Sequence, residues 1–214
     1  MVVGTIILLI VAALLGWVWW PLALLPLPVL IWLFAFFRDP DRTIPTDPGI
    51  MVSPADGVVS DIKEIEYEPL LGGPAVRVGM FLNVFNVHGN RAPCDAKVVS
   101  VTYREGKFLN ALKHEECSLC NESNTIVMAD PVTGVPCCVV KQIAGAIARR
   151  IISGPKVGEV VTRGDRIGFI KFGSRTELTI PRSFAPQILV KVGDKTTGGS
   201  QIIARLGAPP NAIA

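Results

Sequence analysis

The first 37 residues carry no charged side chain, and this constrains the fold more than any other feature of the sequence. Because crossing a hydrocarbon core of about 30 Å takes about 20 apolar helical residues, residues 1–37 predict a helical membrane anchor. Pro21, Pro26 and Pro28 interrupt the run, so that one tilted span and a hairpin of two short helices are both open. A cleavable signal peptide is disfavoured, because no positive region precedes the apolar run.

Positive charge begins directly after this segment. Arg38 and Arg42 follow the apolar run and no Lys or Arg precedes it, which predicts a protein of the cell membrane whose following domain faces the cytoplasm. Residues 38–49, rich in Asp and Pro, predict a linker to one domain over residues 50–214. The net charge of +3 suits an anionic membrane surface, and no basic cluster with interleaved aromatics indicates nucleic-acid binding.

From residue 50 onward, short β-branched runs alternate with Gly, Pro and Asp, and this pattern predicts a mainly β domain. Strands are expected at residues 76–82, 98–103 and 125–128. Residues 107–120 are expected to form either a short helix or a long loop.

Residues 157–167 and 190–199 both place a Val-x-x-Gly-Asp-type turn between short strands. Together with Ala-Asp-Gly-Val-Val at 55–59, this repeat is typical of a barrel-sandwich or lipoyl-like fold. Fold analogy alone would suggest a lipoyl or biotinyl carrier, but no hairpin tip presents a convincing lysine for modification.

The dipeptide Gly173-Ser174 offers the most specific chemistry. A serine hydroxyl can attack its own upstream peptide bond when the fold strains that bond and a base accepts the proton. The amide becomes an ester, and elimination then releases the upstream chain and leaves a dehydroalanine that hydrolyses to a pyruvoyl group. Such a group can form a Schiff base with an amine and accept the electrons of a departing carboxylate. Taken alone, however, residues 172–175 are more typical of a β-turn.

A serine needs a base to become a nucleophile, and the chain has two histidines. His88 follows an apolar strand, whereas His114 lies in a polar run, so His88 is the better candidate. Asp56 is the candidate acid that would orient it, although Pro-x-Asp-Gly is equally typical of a plain turn.

Five sequence blocks now stand in one order along the chain. They are Phe-Phe-Arg-Asp-Pro at 36–40, Ser-Pro-Ala-Asp-Gly at 53–57, Val-His-Gly-Asn-Arg-Ala-Pro at 87–93, Asn-Glu-Ser-Asn at 121–124 and Gly-Asp-Arg-Ile-Gly-Phe-Ile-Lys-Phe-Gly-Ser-Arg at 164–175. Together they resemble the phosphatidylserine decarboxylase family in its short prokaryotic form. The resemblance implies that Ser174 becomes the pyruvoyl group, that Gly173 ends the large chain, and that Asp56 and His88 serve autocatalytic cleavage.

Two positions depart from the family pattern. Arg91 stands where longer members carry a second histidine, which leaves open whether His88 serves cleavage, decarboxylation or both. Ser123 stands where the family usually shows arginine, so that Arg91 and Arg175 become the candidates for binding the substrate.

The resemblance implies conversion of phosphatidylserine in the bilayer to phosphatidylethanolamine and CO2, with the covalent pyruvoyl group as the cofactor and no metal. The anchor would hold the enzyme at the headgroup plane, the large and small chains would stay together, and a homo-oligomer is open. Two alternatives are a membrane-anchored scaffold or transport adaptor that is never cut, and a pyruvoyl decarboxylase of a soluble amino acid.

The cysteines offer a further alternative, a zinc site. Cys117-x2-Cys120 and Cys137-Cys138, with His114 nearby, could supply the ligands, but the second pair lacks the spacer that would turn both sulfurs to one ion. Free thiols are therefore favoured, and the odd count of five excludes complete pairing within one chain.

Overall fold

The computed structural model describes residues 2–108, 114–145, 150–171 and 174–207. The chain divides into two units, Met1–Pro40 and Asp41–Ala214. This boundary falls inside the predicted linker, where residues 38–47 have no regular secondary structure.

The first unit is helical. Helix α1 spans Val2–Val18, a 3-10 helix spans Trp20–Leu24, and helix α2 spans Leu27–Phe36. A Cβ atom on Gly4 would lie 3.6 Å from Leu33, and one on Gly16 would lie 3.2 Å from Ala23, so the chain runs back along α1 after the turn. Among the helices of the described residues, none combines the length and the apolar character that crossing a membrane requires.

The second unit is built from antiparallel strands, as the sequence predicts. The elements, in chain order, are β1 Ile50–Val52, β2 Gly57–Glu68, β3 Gly73–Leu82, β4 Gly89–Arg91, β5 Ala96–Arg104, α3 His114–Cys120, β6 Ser123–Ala129, β7 Pro136–Ala144, β8 Ile151–Ser153, β9 Val160–Val161, β10 Arg166–Ile170, β11 Ser174–Pro181, a 3-10 turn Arg182–Phe184, β12 Gln187–Ile188, β13 Lys195–Thr196 and β14 Ile202–Arg205. The prediction of a mainly β domain is confirmed.

In the described part of the chain, eight strands form one sheet in the order β13-β2-β3-β11-β7-β6-β5-β9. Two small sheets, β1-β14-β12 and β4-β10-β8, accompany it. Alternate residues of each strand point to the same side of a sheet, and the main core is formed by residues on one face of the large sheet. Met80 of β3, Met128 of β6 and Leu178 of β11 belong to this core.

The three predicted strands are confirmed, since residues 76–82, 98–103 and 125–128 lie within β3, β5 and β6. Of the stretch 107–120, residues 114–120 form α3, whereas residues 109–113 lie outside the described residues. The barrel-sandwich or lipoyl-like assignment stays a prediction.

The repeated turn is also confirmed. In residues 162–165, the N–H of Thr162 donates to the carboxylate of Asp165 at 2.7 Å, and in residues 191–194 the N–H of Lys191 donates to Asp194 at 2.9 Å. The glycine before each aspartate has a positive φ, 88° and 95°, which residues with a Cβ adopt at a cost.

Candidate active site

Ser174 is the first residue of β11, in the interior of the large sheet. It pairs with Leu82 of β3 on one side and with Ala144 of β7 on the other. Its side chain is fully buried, and Oγ forms no hydrogen bond with any residue that the structure describes. An unpaired buried hydroxyl costs about 1–3 kcal/mol, and this makes Ser174 a candidate functional residue. Gly173 lies outside the described residues.

His88 immediately precedes β4 and is also fully buried. Its carbonyl oxygen accepts a hydrogen bond from the N–H of Ile170 at 3.2 Å, which places it beside the end of β10 that leads to Ser174. His88 Nδ1 lies 2.9 Å from the carbonyl oxygen of Asn86. Since a carbonyl can only accept, Nδ1 carries a proton and the neutral ring keeps its lone pair on Nε2. This tautomer suits a general base.

A chain of buried amides links the strand after His88 to the strand of Ser174. Asn90 Nδ2 donates to Thr176 Oγ1 at 3.0 Å, and Gln142 Nε2 donates to Asn90 Oδ1 at 2.7 Å. Asn124 Nδ2 in turn donates to Gln142 Oε1 at 2.8 Å. Thr176 lies on the same face of β11 as Ser174, because strand residues alternate. The amide chain therefore fixes β4 against the face of β11 from which Ser174 projects.

The block at 121–124 holds β7 at the level of Ser174. Asn121 Nδ2 donates to the carbonyl oxygen of Ala144 at 2.7 Å, and the N–H of Ala144 donates to the carbonyl oxygen of Glu122 at 2.9 Å. Ala144 is the residue of β7 that pairs with Ser174. The sequence pointed to this block through the family resemblance but assigned no role to its amides or to Gln142, although polar residues inside β-branched runs were a visible signal.

Asp56 does not form the pair with His88 that the sequence predicts. Its carboxylate lies 2.8 Å from Arg42 and accepts the N–H of Gly198 at 2.7 Å, and within the described residues it makes no hydrogen bond to His88. The carbonyl of Asn86 occupies the orienting position on the ring instead.

The loop that carries Asp56 nevertheless meets the histidine segment. The carbonyl oxygen of Pro54 accepts the N–H of Arg91 at 2.9 Å. The loop before β2, the segment 88–91 and the first residues of β11 thus lie close together. Each of them contains one of the residues that the sequence predicts for the site, namely Asp56, His88 and Ser174.

Arg91 lies at the edge of a cavity of about 350 Å³. Its Nη1 donates to the carbonyl oxygen of Gly164 at 3.0 Å. Arg166, Glu159 and Asp165 also line this cavity. Two guanidinium groups and two carboxylates therefore share the lining of this cavity.

Arg175, the other candidate for binding the substrate, projects from the face of β11 opposite to Ser174. It is fully buried, with Nη2 2.6 Å from Asp61 and Nε 2.9 Å from Glu177. Burial disfavours its charge, but Glu177 and Asp61 raise the pKa of Arg175 above its usual value. Burial alone would raise the pKa of Asp61, but the charge and hydrogen bond of Arg175 lower this pKa below its usual value. The partners of this arginine are therefore two carboxylates on the face of the sheet opposite to Ser174.

The geometry defines a mainly β protein with a buried serine at the start of an interior strand and a buried histidine beside the strand that leads to it. Comparison with known proteins makes the assignment narrower. The family model described as phosphatidylserine decarboxylase matches residues 29–204, and the chain belongs to the phosphatidylserine decarboxylase family.

Three relatives, each named phosphatidylserine decarboxylase proenzyme, illustrate the similarity. The protein from Rhodopirellula baltica is 45% identical over 96% of this chain and 84% of its own length. That from Carboxydothermus hydrogenoformans is 44% identical over 86% of this chain and 84% of its own. That from Solidesulfovibrio magneticus is 47% identical over 87% of this chain and 85% of its own.

Proposed function

We propose that this chain decarboxylates phosphatidylserine to phosphatidylethanolamine and CO2, after it cuts itself between Gly173 and Ser174. The observation that carries the proposal is the buried Ser174 hydroxyl, which lacks a hydrogen-bond partner among the described residues at the first position of β11. The names of the three relatives support it further, because a proenzyme is a precursor that matures.

His88 is the proton acceptor in this proposal. The carbonyl of Asn86 holds the ring in the tautomer whose Nε2 can take the proton of Ser174 Oγ. Asn90 and Gln142 position the strands that carry the two residues. Asp56, through Arg42 and Gly198, holds the loop that contacts the histidine segment, and we assign it a positioning role.

The residues present fit a pyruvoyl group, since Ser174 supplies its atoms from a buried position with no competing hydrogen bond among the described residues. When formed, that group supplies an electron sink for the loss of a carboxylate. Arg91, beside the cavity that it shares with Arg166, is our candidate for binding an anionic part of the lipid headgroup. We assign Arg175 to the stability of β11 and not to the substrate.

The first unit supports a lipid as the substrate. Trp17 at the end of α1, and Trp19 and Trp20 directly after it, are between 62% and 92% exposed, and such an aromatic cluster suits a headgroup layer. We propose that residues 1–37 anchor the chain at the cell membrane. The second unit would lie on the cytoplasmic side, because the positive residues Arg38 and Arg42 follow the anchor. An enzyme held at the headgroup plane meets a lipid substrate without extracting it.

Intact mass spectrometry of the purified protein tests the cleavage. Wild type should give two fragments, residues 1–173 and residues 174–214, the second beginning with a pyruvoyl group. Ser174→Ala should stay as one chain and His88→Gln should be cut slowly, because the nucleophile or its base is lost. Ser123→Ala, which removes another buried serine hydroxyl of the same sheet, should be cut normally.

The substrate is tested on the cut wild-type protein with phosphatidylserine vesicles and with free serine. Phosphatidylethanolamine and CO2 from the vesicles alone would support the proposal. Release of CO2 from free serine alone would identify a decarboxylase of a soluble amino acid. A folded wild type that stays uncut, or an uncut and fully active Ser174→Ala, would overturn the mechanism.

A further inference from the structure

Three cysteine sulfurs meet at the edge of the main core, away from Ser174. The Sγ atoms of Cys94, Cys137 and Cys138 all lie within 4.8 Å of one another, and those of Cys94 and Cys137 are 3.9 Å apart. Cys138 is six residues from Ala144 along β7, which corresponds to about 20 Å of strand. The cluster is therefore separate from the site at Ser174.

The grouping differs from the one that the sequence suggested. Cys117 lies near Arg175 and Glu177 on the opposite face of the sheet, and Cys120 is exposed on α3. The side chain of His114 lies outside the described residues. Cys94 takes their place as the third sulfur.

A β-bulge explains how two adjacent cysteines face the same side. Met128 of β6 pairs with Cys138, but the next residue, Ala129, pairs with Pro136, so that Cys137 is an extra residue in β7. In a regular strand, neighbouring side chains point to opposite faces, whereas a bulge removes this alternation locally. The objection that an adjacent pair cannot share one ion therefore does not hold at this position.

The distance between the sulfurs matches the distance between two thiolates that are bound to one metal ion. Two thiolates bound to one tetrahedral Zn²⁺ at about 2.3 Å lie about 3.8 Å apart. The 3.9 Å between Cys94 and Cys137 is close to this value, and it is far longer than the about 2.05 Å of a disulfide. We propose that Cys94, Cys137 and Cys138 bind one Zn²⁺ ion through three thiolates.

A cavity of about 340 Å³ gives this site access to solvent and a fourth ligand. Cys94 and Cys137 line it together with Asp95, Asp130 and Arg163. One oxygen of each aspartate is engaged, by the N–H of Arg163 and by the turn after Asp130, and neither carboxylate belongs to the cluster of sulfurs, so that water from the cavity is the expected fourth ligand. An entry path and an available fourth position are both expected of a real zinc site.

The charges at this cavity favour a divalent ion. Three thiolates with Zn²⁺ carry a net charge of −1, whereas the same thiolates with monovalent copper would carry −2 in a half-buried position. Asp95, Asp130 and Arg163 line the same cavity, so the charges around the sulfurs already sum to a negative value, and a divalent cation offsets more of this charge than a monovalent one does.

Metal titration of the full-length protein, purified with a reductant and stripped by a chelator, tests the proposal. Cd²⁺ serves as the spectroscopic probe for thiolate ligation, and Zn²⁺ should displace it with one ion per chain. Saturating Zn²⁺, at about 100 times its Kd, should raise the thermal unfolding midpoint by about 5 °C or more, because it binds only the folded state. Cys94→Ser should bind at least about tenfold more weakly, since even the loss of an outer hydrogen-bond partner of a ligand costs that much.

Cys120→Ser is the matched control, because it removes an exposed thiol outside the cluster and should bind as wild type does. Circular dichroism establishes that both variants are folded, and the wild-type titration decides the question without them. A reduced wild type that takes up no Cd²⁺ or Zn²⁺ would overturn the proposal. So would equal binding by Cys94→Ser and wild type, or a Cys94–Cys137 disulfide in protein whose reduced form binds no metal.

Discussion

Ser174 and Arg175 are neighbours in the sequence, yet their side chains meet opposite requirements. Ser174 has a buried hydroxyl without a hydrogen bond to any described residue, which is unfavourable for stability and suited to reaction. Arg175 has two carboxylate partners, Asp61 and Glu177, which compensate for the loss of hydration of its charge. The alternation of a β-strand separates the two, so that one residue can be reactive while the next stabilises the strand.

The Asp61–Arg175 ion pair predicts a specific acid sensitivity. The pKa of Asp61 is lowered in the folded state, so its contribution to stability is present above the ordinary carboxyl pKa and is lost as the pH falls through the folded-state value. The free energy of unfolding should fall from pH 7 to below about pH 4, and less steeply in Asp61→Asn than in wild type. At pH 7 this variant should lose up to about 3 kcal/mol, because Glu177 still balances Arg175.

Urea denaturation at several pH values measures both effects. The control is Glu64→Gln, whose carboxylate pairs with Arg182 on the surface and should cost less than about 1 kcal/mol. Parallel pH profiles for Asp61→Asn and wild type would show that the ion pair does not stabilise the fold.

At the scale of elements, the amide chain is the feature that assembles the site. Gln142 lies at its centre, with Asn90 of β4 on one side and Asn124 of β6 on the other. Gly168 of β10 lies against the same amide, since a Cβ there would be 2.4 Å from Gln142 Nε2. The large sheet and the small sheet β4-β10-β8 are thus joined through one buried side chain, that of Gln142.

Gln142→Ala should therefore disturb both the stability of the fold and the rate of self-cleavage. The substitution leaves Asn90 Oδ1 and Asn124 Nδ2 without the hydrogen bonds that they form with Gln142, which should cost at least about 1–3 kcal/mol. Self-cleavage should slow at temperatures where the variant is still folded, because β4 is no longer held firmly against β11. Mass spectrometry over time measures the rate, and thermal unfolding gives the stability.

Gln201→Ala removes an exposed amide and serves as the control for the same substitution. It should change neither quantity. A destabilised Gln142→Ala that is cut at the wild-type rate would assign the amide chain to stability alone.

At the scale of the whole molecule, the proposed cut would not release the small chain. Residues 174–214 contain β11, which pairs through eight residues with β3 and through six with β7. They also contain β13 and β14, which pair with β2 and β1. The short fragment is thus a central part of the sheets formed by the long one.

We therefore expect the fragments 1–173 and 174–214 to co-elute in size-exclusion chromatography without denaturant and to separate in guanidinium chloride. Uncut Ser174→Ala should elute as native wild type does. Separation of the fragments in native buffer would contradict the pairing of β11 and would leave the proposal of self-cleavage itself intact.

The sequence alone determined the features that depend on local pattern. The charge-free segment, the β-branched strands and the Gly-Asp turns follow from properties of residues close together in the chain, and the strands and turns are found where expected. Ser174 and His88 could also be selected, because their residue types limit the chemistry. The family resemblance that these motifs indicated is confirmed by the family model.

Only the tertiary structure decided which side chains meet. Asn90 contacts Thr176 across 86 positions, and Asp56 binds Gly198 across 142, so no local pattern could show either contact. The orientation of Arg175 away from Ser174 follows from strand alternation once its strand is known, and the grouping of Cys137 with Cys138 follows from a single bulge. Register and bulges are set by the packing of distant strands, and this is why the sequence could name candidate reactive residues but not the side chains that they contact.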